Sequence, residues 1–123
     1  MSIYLNKILL MGNLTRDPEL RRTGGGQSVC EFGIAVNTAE IRDGQKREET
    51  CFVDIVVWGK TGEACKNYLA KGRGVFVEGR LTMDQWVSQN GERKSRLRVV
   101  AEKVSFSDGV RQGEGGSGTR SGR

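Results

Sequence analysis

The chain contains no histidine and only three cysteines among its 123 residues. Cys30, Cys51 and Cys65 form no CxxC pair, so the common zinc-site spacings and any imidazole-based chemistry are excluded, and we expect no metal or other cofactor. Each cysteine falls on an apolar phase of its segment, which predicts buried free thiols in a reducing compartment. No apolar stretch approaches the length of a membrane span, and the N-terminus does not resemble a signal peptide. We therefore expect a cytoplasmic protein with no membrane partner.

The excess of positive charge is small and local. Lysine and arginine number 20 against 15 aspartate and glutamate, which gives a net charge of +5 and favours an anionic partner. Most of the chain, residues 1–108, is only mildly basic, so a positive patch is needed for the charge to matter. Lys94, Arg96 and Arg98 form such a patch, because alternate residues of a strand share one face.

Aromatic residues are few, 7% of the chain, but three of them lie where strand alternation predicts exposure. In Thr50–Trp58 the odd positions are continuously apolar, whereas Phe52 and Trp58 share the even positions with Asp54. In Val75–Val87 the odd positions are again mostly apolar, and Trp86 falls on the polar even set. Exposed aromatics among lysine and arginine suit an unpaired nucleic acid, because every base can stack and every phosphate is negative. The alternative is that these aromatics pack in a core or in cross-strand pairs.

Five strands and one helix are predicted in the order strand, strand, strand, helix, strand, strand. Alternation and turn residues place the strands and a change to helical periodicity places the helix, with Thr61 as its cap and Gly72 as its stop: strands Ile3–Leu14, Val29–Val36, Thr50–Trp58, Val75–Ser88 and Arg93–Val104, and a helix within Gly59–Gly72. We predict loops over 15–26 and 37–49, the second centred on Asp43-Gly44. This order predicts an all-β fold, a five-stranded Greek-key OB-fold barrel with one helix between strands 3 and 4.

The register of the last hairpin follows from its core residues. Leu81 and Met83 on one strand and Leu97, Val99 and Ala101 on the next are predicted to face the core together, which requires a three-residue loop, Gln89-Asn90-Gly91, with a left-handed glycine. That register places Trp86 opposite Lys94 and Asp84 opposite Arg96. We therefore predict a row of cations beside the tryptophan, with Arg80 and Lys60 nearby in sequence.

The domain is expected to span residues 1–108, followed by a glycine-rich disordered tail over 109–123. An enzyme is not expected. Gly59-Lys60-Thr61 looks like the end of a phosphate-binding P-loop, but Asp54 occupies the position that requires glycine. No pair of carboxylates and no nucleophile with an adjacent base forms a recognisable pattern.

Several segments closely resemble bacterial single-stranded DNA-binding proteins over about residues 3 to 106. They are Asn6–Leu14 followed by Asp17–Arg21, then Val56–Lys60, Tyr68–Gly72 and Val77–Leu81. The resemblance implies an OB-fold homotetramer that coats single-stranded DNA in replication, recombination and repair. It implies stacking by Phe52, Trp58 and Trp86, and basic contacts from Lys7, Arg21, Lys60, Lys71 and Lys94. For each cation the alternative is an ordinary solvated charge.

Two departures from the family pattern are visible. Glu40 or Ile41 stands where the family often has a further aromatic, so one stacking position is expected to be missing. The family usually ends in an acidic tip that recruits replication and repair proteins, whereas this chain ends Thr119–Arg123. Two other functions stay open: an assembly subunit of the primosome type that mainly bridges proteins, and an RNA-binding module.

Overall fold

The strands and the helix follow the predicted order, with one additional short strand. The computed structural model describes residues 1–106, so the tail predicted over 109–123 lies outside the described residues. The elements are β1 (Ile8–Leu14), β2 (Glu19–Arg22), β3 (Ser28–Arg42), β4 (Gln45–Trp58), α1 (Gly59–Tyr68), β5 (Gly74–Val87) and β6 (Arg93–Phe106). No helix among the described residues is long and apolar enough to cross a membrane.

Five of the strands close into a barrel. The hydrogen-bonded order is β1-β5-β6-β4-β3, and β1 also pairs with β3, which closes the ring, while β2 adds to the outer edge of β3. The pairings are antiparallel except for β4 with β6, which run parallel. Because α1 connects the third and fourth barrel strands, the predicted OB-fold is confirmed.

The barrel interior is filled mainly by valine, isoleucine and leucine. Phe32, Ile34, Ile55, Val57 and Val77 have no exposed surface. The barrel closes tightly where β1 crosses β3, since a Cβ on Gly12 would lie 2.4 Å from the Ala35 carbonyl oxygen. A side chain there would separate the two strands, so the glycine is required for closure.

The β3–β4 hairpin corrects the predicted loop over 37–49. The two strands pair from Val29↔Trp58 to Arg42↔Gln45, and only Asp43 and Gly44 form the turn, with φ of 54° and 76°. Two positive φ angles in a two-residue turn twist the strands in the direction a hairpin requires. The centre of the turn was predicted, but its charged flanks were mistaken for loop because both of their faces are exposed.

Three further boundaries were wrong. Arg21 lies on β2 within the segment predicted as loop, because Glu19–Arg22 pairs with β3. The first strand begins at Ile8 rather than Ile3. Helix α1 begins directly after Trp58 with no side-chain cap, so the capping role predicted for Thr61 is also wrong, and the helix ends at Tyr68, before Gly72.

Some residues predicted to face the core are exposed. Leu81, Met83 and Leu97 are 39%, 54% and 58% exposed, and Cys51 is exposed although its phase is apolar. The physical reason is that β4 and β6 pair only from Ile55↔Val99 to Val57↔Ala101. Cys51, Met83 and Leu97 lie beyond this contact, on the projecting parts of the two hairpins, where no strand covers their inward side. Leu81 lies at the edge of the contact, opposite Val99, and beyond Ile8↔Gly79, where the pairing of β1 with β5 ends.

The register of the β5–β6 hairpin was predicted correctly. Trp86 lies opposite Lys94 and Asp84 lies opposite Arg96. Gly91 has a φ of 82°, and the Ser88 N–H donates to the Glu92 carbonyl across the three-residue loop. Opposite Glu78 and Gly79, β6 contains one extra residue, so the register shifts there. After this shift the inward-facing residues of β6 have even numbers, which strand alternation did not predict.

Candidate nucleic-acid interface

The three aromatics singled out by alternation are exposed on the outside of the barrel. Phe52 is 74% exposed, Trp58 42% and Trp86 47%. Val57 beside Trp58 is fully buried, whereas Cys51 beside Phe52 and Val87 beside Trp86 are themselves exposed. Trp58, at the end of β4 where α1 begins, is the least exposed of the three.

A continuous cross-strand row shows that these aromatics share one outer surface. Residues paired across neighbouring strands point to the same side of a sheet, and one such row crosses five strands through Glu19, Glu31, Val56, Val100 and Arg80. Phe52 and Trp58 share the side of Val56 on β4, and Trp86 shares the side of Arg80 on β5. We call this surface, from Trp58 through Val56 to Phe52 and Trp86, the aromatic face.

The aromatics lie toward opposite ends of the aromatic face. Phe52 and Trp58 are six residues apart on β4, about 20 Å at the usual rise of a strand. Passing from Arg80 to Trp86 along β5 leads in the direction of Phe52, because β5 is antiparallel to β6 and β6 is parallel to β4. Phe52 and Trp86 thus mark one end of the face and Trp58 the other.

Cations accompany each end. Lys94 lies opposite Trp86 and is half exposed, with its Nζ 3.5 Å from Glu92 Oε1. At the other end Arg21 and Trp58 flank Val29 in one cross-strand row. Lys60 is exposed in the first turn of α1 and makes no ion pair with any carboxylate of residues 1–106.

The centre of the aromatic face holds an ion-pair network. Arg98 Nη1 donates to Glu31 Oε2 at 3.0 Å, and Arg98 Nε lies 2.7 Å from Asp84 Oδ2 at an angle unsuited to a hydrogen bond. Arg21 Nη2 donates to the same Glu31 oxygen at 3.1 Å. Partial burial raises the pKa of Glu31, but hydrogen bonds from Arg21 and Arg98 lower it, and the net pKa lies below its ordinary value.

Arg96 is held more loosely than Arg98. Its Nη1 lies 3.9 Å from Asp54 Oδ2, and its side chain is 52% exposed. Although Arg96 is opposite Asp84 in register, Asp84 pairs diagonally with Arg98 instead. Arg98 was predicted as part of the positive patch but not as a DNA contact, and its ion-pair network was not predicted. The signal that could have found the network is the set of carboxylates, Glu31, Asp54 and Asp84, on the outward strand phase.

The other predicted cations, Lys7, Arg80 and Lys71, lie outside the ion-pair network of Glu31, Asp84, Arg21 and Arg98. Lys7 pairs with Glu78, and the hydrogen bond between them raises the pKa of Lys7 and lowers that of Glu78. Arg80 Nη1 donates to Glu102 Oε2 at 3.1 Å. Lys71 lies in the loop between α1 and β5, where its backbone N–H donates to Asp17 Oδ1 at 2.8 Å. Among residues 1–106 there is no cluster of three side chains suited to a metal ion.

A closed five-stranded barrel with exposed aromatics and cations on one outer face defines the class of protein: an OB-fold module of the nucleic-acid-binding type. The sequence model of the single-strand binding protein family matches residues 5–107. The chain belongs to that family.

Individual relatives agree with this assignment. The chain is 40% identical over 112 residues to the single-stranded DNA-binding protein of Wolinella succinogenes, covering 90% of this chain and 69% of that one. It is 50% identical over 100 residues to the Thermus thermophilus protein of the same name, covering 81% of this chain but only 36% of that one. The structure described as a Plasmodium falciparum SSB complex with ssDNA matches with a TM-score of 0.80 and 27% identity, covering 88% and 99% of the two chains. The chain thus spans only part of the length of some relatives.

Proposed function

We propose that this chain binds and coats single-stranded DNA without sequence specificity, as a non-enzymatic protein of replication, recombination and repair. The observation that carries the proposal is the exposure of Phe52, Trp58 and Trp86 on one outer sheet face among lysine and arginine. Stacking on aromatic rings is independent of sequence, because every base offers a π-face. The names of the relatives and the DNA-bound structural neighbour support the same function. On this proposal the chain acts inside the cell, at the nucleoid.

The proposed roles divide by chemistry. Phe52, Trp58 and Trp86 stack bases, while Lys94 and Arg96 contact phosphates beside Phe52 and Trp86. Arg21 and Lys60 contact phosphates at the Trp58 end of the face. The remaining candidates, Lys7, Lys71 and Arg80, lie farther from the aromatics and would extend the path of the DNA around the barrel. Their contribution is electrostatic, so it weakens as salt rises.

We also propose self-association, as a homotetramer. A second exposed apolar surface supports it, formed by Ile3, Tyr4, Leu5, Leu81, Met83 and Leu97. Exposed apolar surfaces of this kind mark association sites, because burying them removes apolar area from water. Several barrels joined this way would offer one strand a series of aromatic faces. Recruitment of replication and repair proteins is part of the proposal by family membership, and the domain is proposed to comprise residues 1–108.

Tryptophan fluorescence during titration with oligo-dT tests the DNA-binding proposal. Oligo-dT is expected to quench Trp58 and Trp86 strongly, and duplex DNA of equal length is expected to change the signal little, because duplex bases are not free to stack. Equal quenching by both nucleic acids would contradict the proposal. Oligo-U at matched salt is the second arm, and tighter binding to it would favour an RNA-binding module.

The mass in solution, with and without a long oligonucleotide, tests the assembly proposal. A tetramer that takes up one long oligo-dT strand is expected. A dimer that binds short oligonucleotides without coating a long one would favour the primosome-type assembly subunit.

A further inference from the structure

Three carboxylates lie on the surface proposed to receive a polyanion. Glu31, Asp54 and Asp84 share the aromatic face with the stacking residues. A carboxylate repels a nearby phosphate, so each of the three should weaken DNA binding unless it has another structural role. Glu31 and Asp84 have such a role, since both form ion pairs with Arg98. Within the described residues Asp54 has only the distant pair with Arg96, at 3.9 Å.

Arg96 and Arg98 on the aromatic face differ in how strongly they are bound by carboxylates. Arg98 has two carboxylate partners at 3.0 and 2.7 Å and a side chain only 17% exposed. Its charge is already balanced, and little of it can reach a phosphate. Arg96 has one partner at 3.9 Å and a side chain 52% exposed. A loose, exposed ion pair is worth little, so Arg96 can exchange its partner at small cost.

The position of Asp54 makes such an exchange part of binding. Asp54 is two residues from Phe52 and four from Trp58 on β4, so a single DNA strand whose bases stack on both rings passes over it. The planar guanidinium of Arg96 matches a phosphate in bidentate geometry. Arg16 Nη1 and Asp54 Oδ1 lie 3.6 Å and 3.8 Å from the same point, where a Cβ on Gly33 would be, but no ion pair joins them within the described residues. Asp54 is therefore left without a paired cation when Arg96 leaves.

We propose that Asp54 competes with the DNA backbone for Arg96, and that a phosphate displaces its carboxylate from the guanidinium when a single strand crosses the aromatic face. The inference rests on the proposed DNA-binding function. Its consequence is that Asp54 limits affinity and reduces net counterion release, because the carboxylate freed by the exchange attracts a cation from solution. Removing the carboxylate should therefore strengthen binding at the position of Arg96.

A double-mutant cycle on the full chain tests this coupling, with oligo-dT as the probe and tryptophan quenching as the readout. D54N is expected to tighten binding about two- to fivefold, the range of an exposed ion pair. Its plot of log affinity against log salt should be steeper by up to about 0.7. In the R96Q background, D54N is expected to leave the affinity unchanged, because the competed cation is gone. Asp54→Ser provides a second variant with the same expectation, and thermal melts establish that each variant is folded.

The cycle separates a specific competition from general repulsion. An equal gain from D54N with and without Arg96 would mean that Asp54 simply repels phosphates, and it would overturn the inference. No gain from D54N or Asp54→Ser would also overturn it, while leaving the proposed function in place. Failure of the unmodified chain to bind oligo-dT would remove both.

Discussion

Phe52→Ala should separate a binding role from a packing role more clearly than any other substitution on the aromatic face. Phe52 is 74% exposed, so only about a quarter of its surface is buried. For a ring of about 200 Å², that is about 50 Å², which at about 25 cal/mol/Å² contributes about 1 kcal/mol to stability. Loss of one stacked base is worth about 1–3 kcal/mol of binding, which is about 5- to 150-fold in affinity. The substitution should thus affect binding at least as much as stability.

Ile55→Ala on the same strand is the matched control. Ile55 is fully buried, so its truncation should cost about 2–5 kcal/mol of stability and leave the affinity of the folded protein nearly unchanged. Thermal melts and oligo-dT titrations on both variants measure the two effects. At about 4–8 °C per kcal/mol, Phe52→Ala should lower the melting temperature by no more than about 8 °C. A fall in Tm as large as that of Ile55→Ala, or an unchanged affinity for oligo-dT, would refute the assignment of Phe52 as a stacking residue.

Four further predictions concern charge, close packing, thiol reactivity and the pH dependence of stability. The logarithm of the oligo-dT affinity should fall linearly with the logarithm of salt concentration, by about 0.7 for each phosphate neutralised, and a flat profile would mean that the cations of the face are ordinary surface charges. Gly79→Ala should destabilise the fold in denaturant titrations by about 1–3 kcal/mol, since its Cβ would lie 2.1 Å from a β6 carbonyl oxygen; Gly25→Ala, with nothing within 4 Å, should not. Cys51 should react with a thiol reagent in the folded protein while the other two thiols stay protected, because burial raises the pKa of Cys30 to about 11 and of Cys65 to about 12. The raised pKa values also mean that the free energy of unfolding should fall as pH rises from 9 toward 11, where the unfolded thiols ionise first.

Local patterns were enough to predict the fold class and the exposure of the three aromatics. Alternation over Thr50–Trp58 is a property of the strand itself, because successive side chains must point to opposite sides. The register of the last hairpin was also available locally, since the phase of its apolar residues and Gly91 leave one loop length that fits. These are short-range constraints, so they can be read before the fold is known.

The extent of the barrel could not be read in this way. Met83 and Leu97 have the same apolar phase as Val99, yet only Val99 is covered, because the pairing of β4 with β6 ends at Val99. Likewise the flanks of Asp43-Gly44 have two exposed faces, so they lack the alternation that identifies a strand. Both features depend on which strands meet in space, and strand contacts across the barrel join residues far apart in the chain.

Amino-acid order by itself determined the class of fold, the phase of the aromatics and the presence of cations near them. Only the tertiary structure decided which cations are free. Lys94, Arg96 and Arg98 are equivalent in sequence, being alternate residues of one strand. Lys94 pairs with the neighbouring Glu92, but the partners of Arg96 and Arg98 come from β3, β4 and β5. Those strands give Arg98 two carboxylates and leave Arg96 only a distant one. The charge available to a ligand is set by ion pairs between distant residues, and these exist only once the sheet has formed.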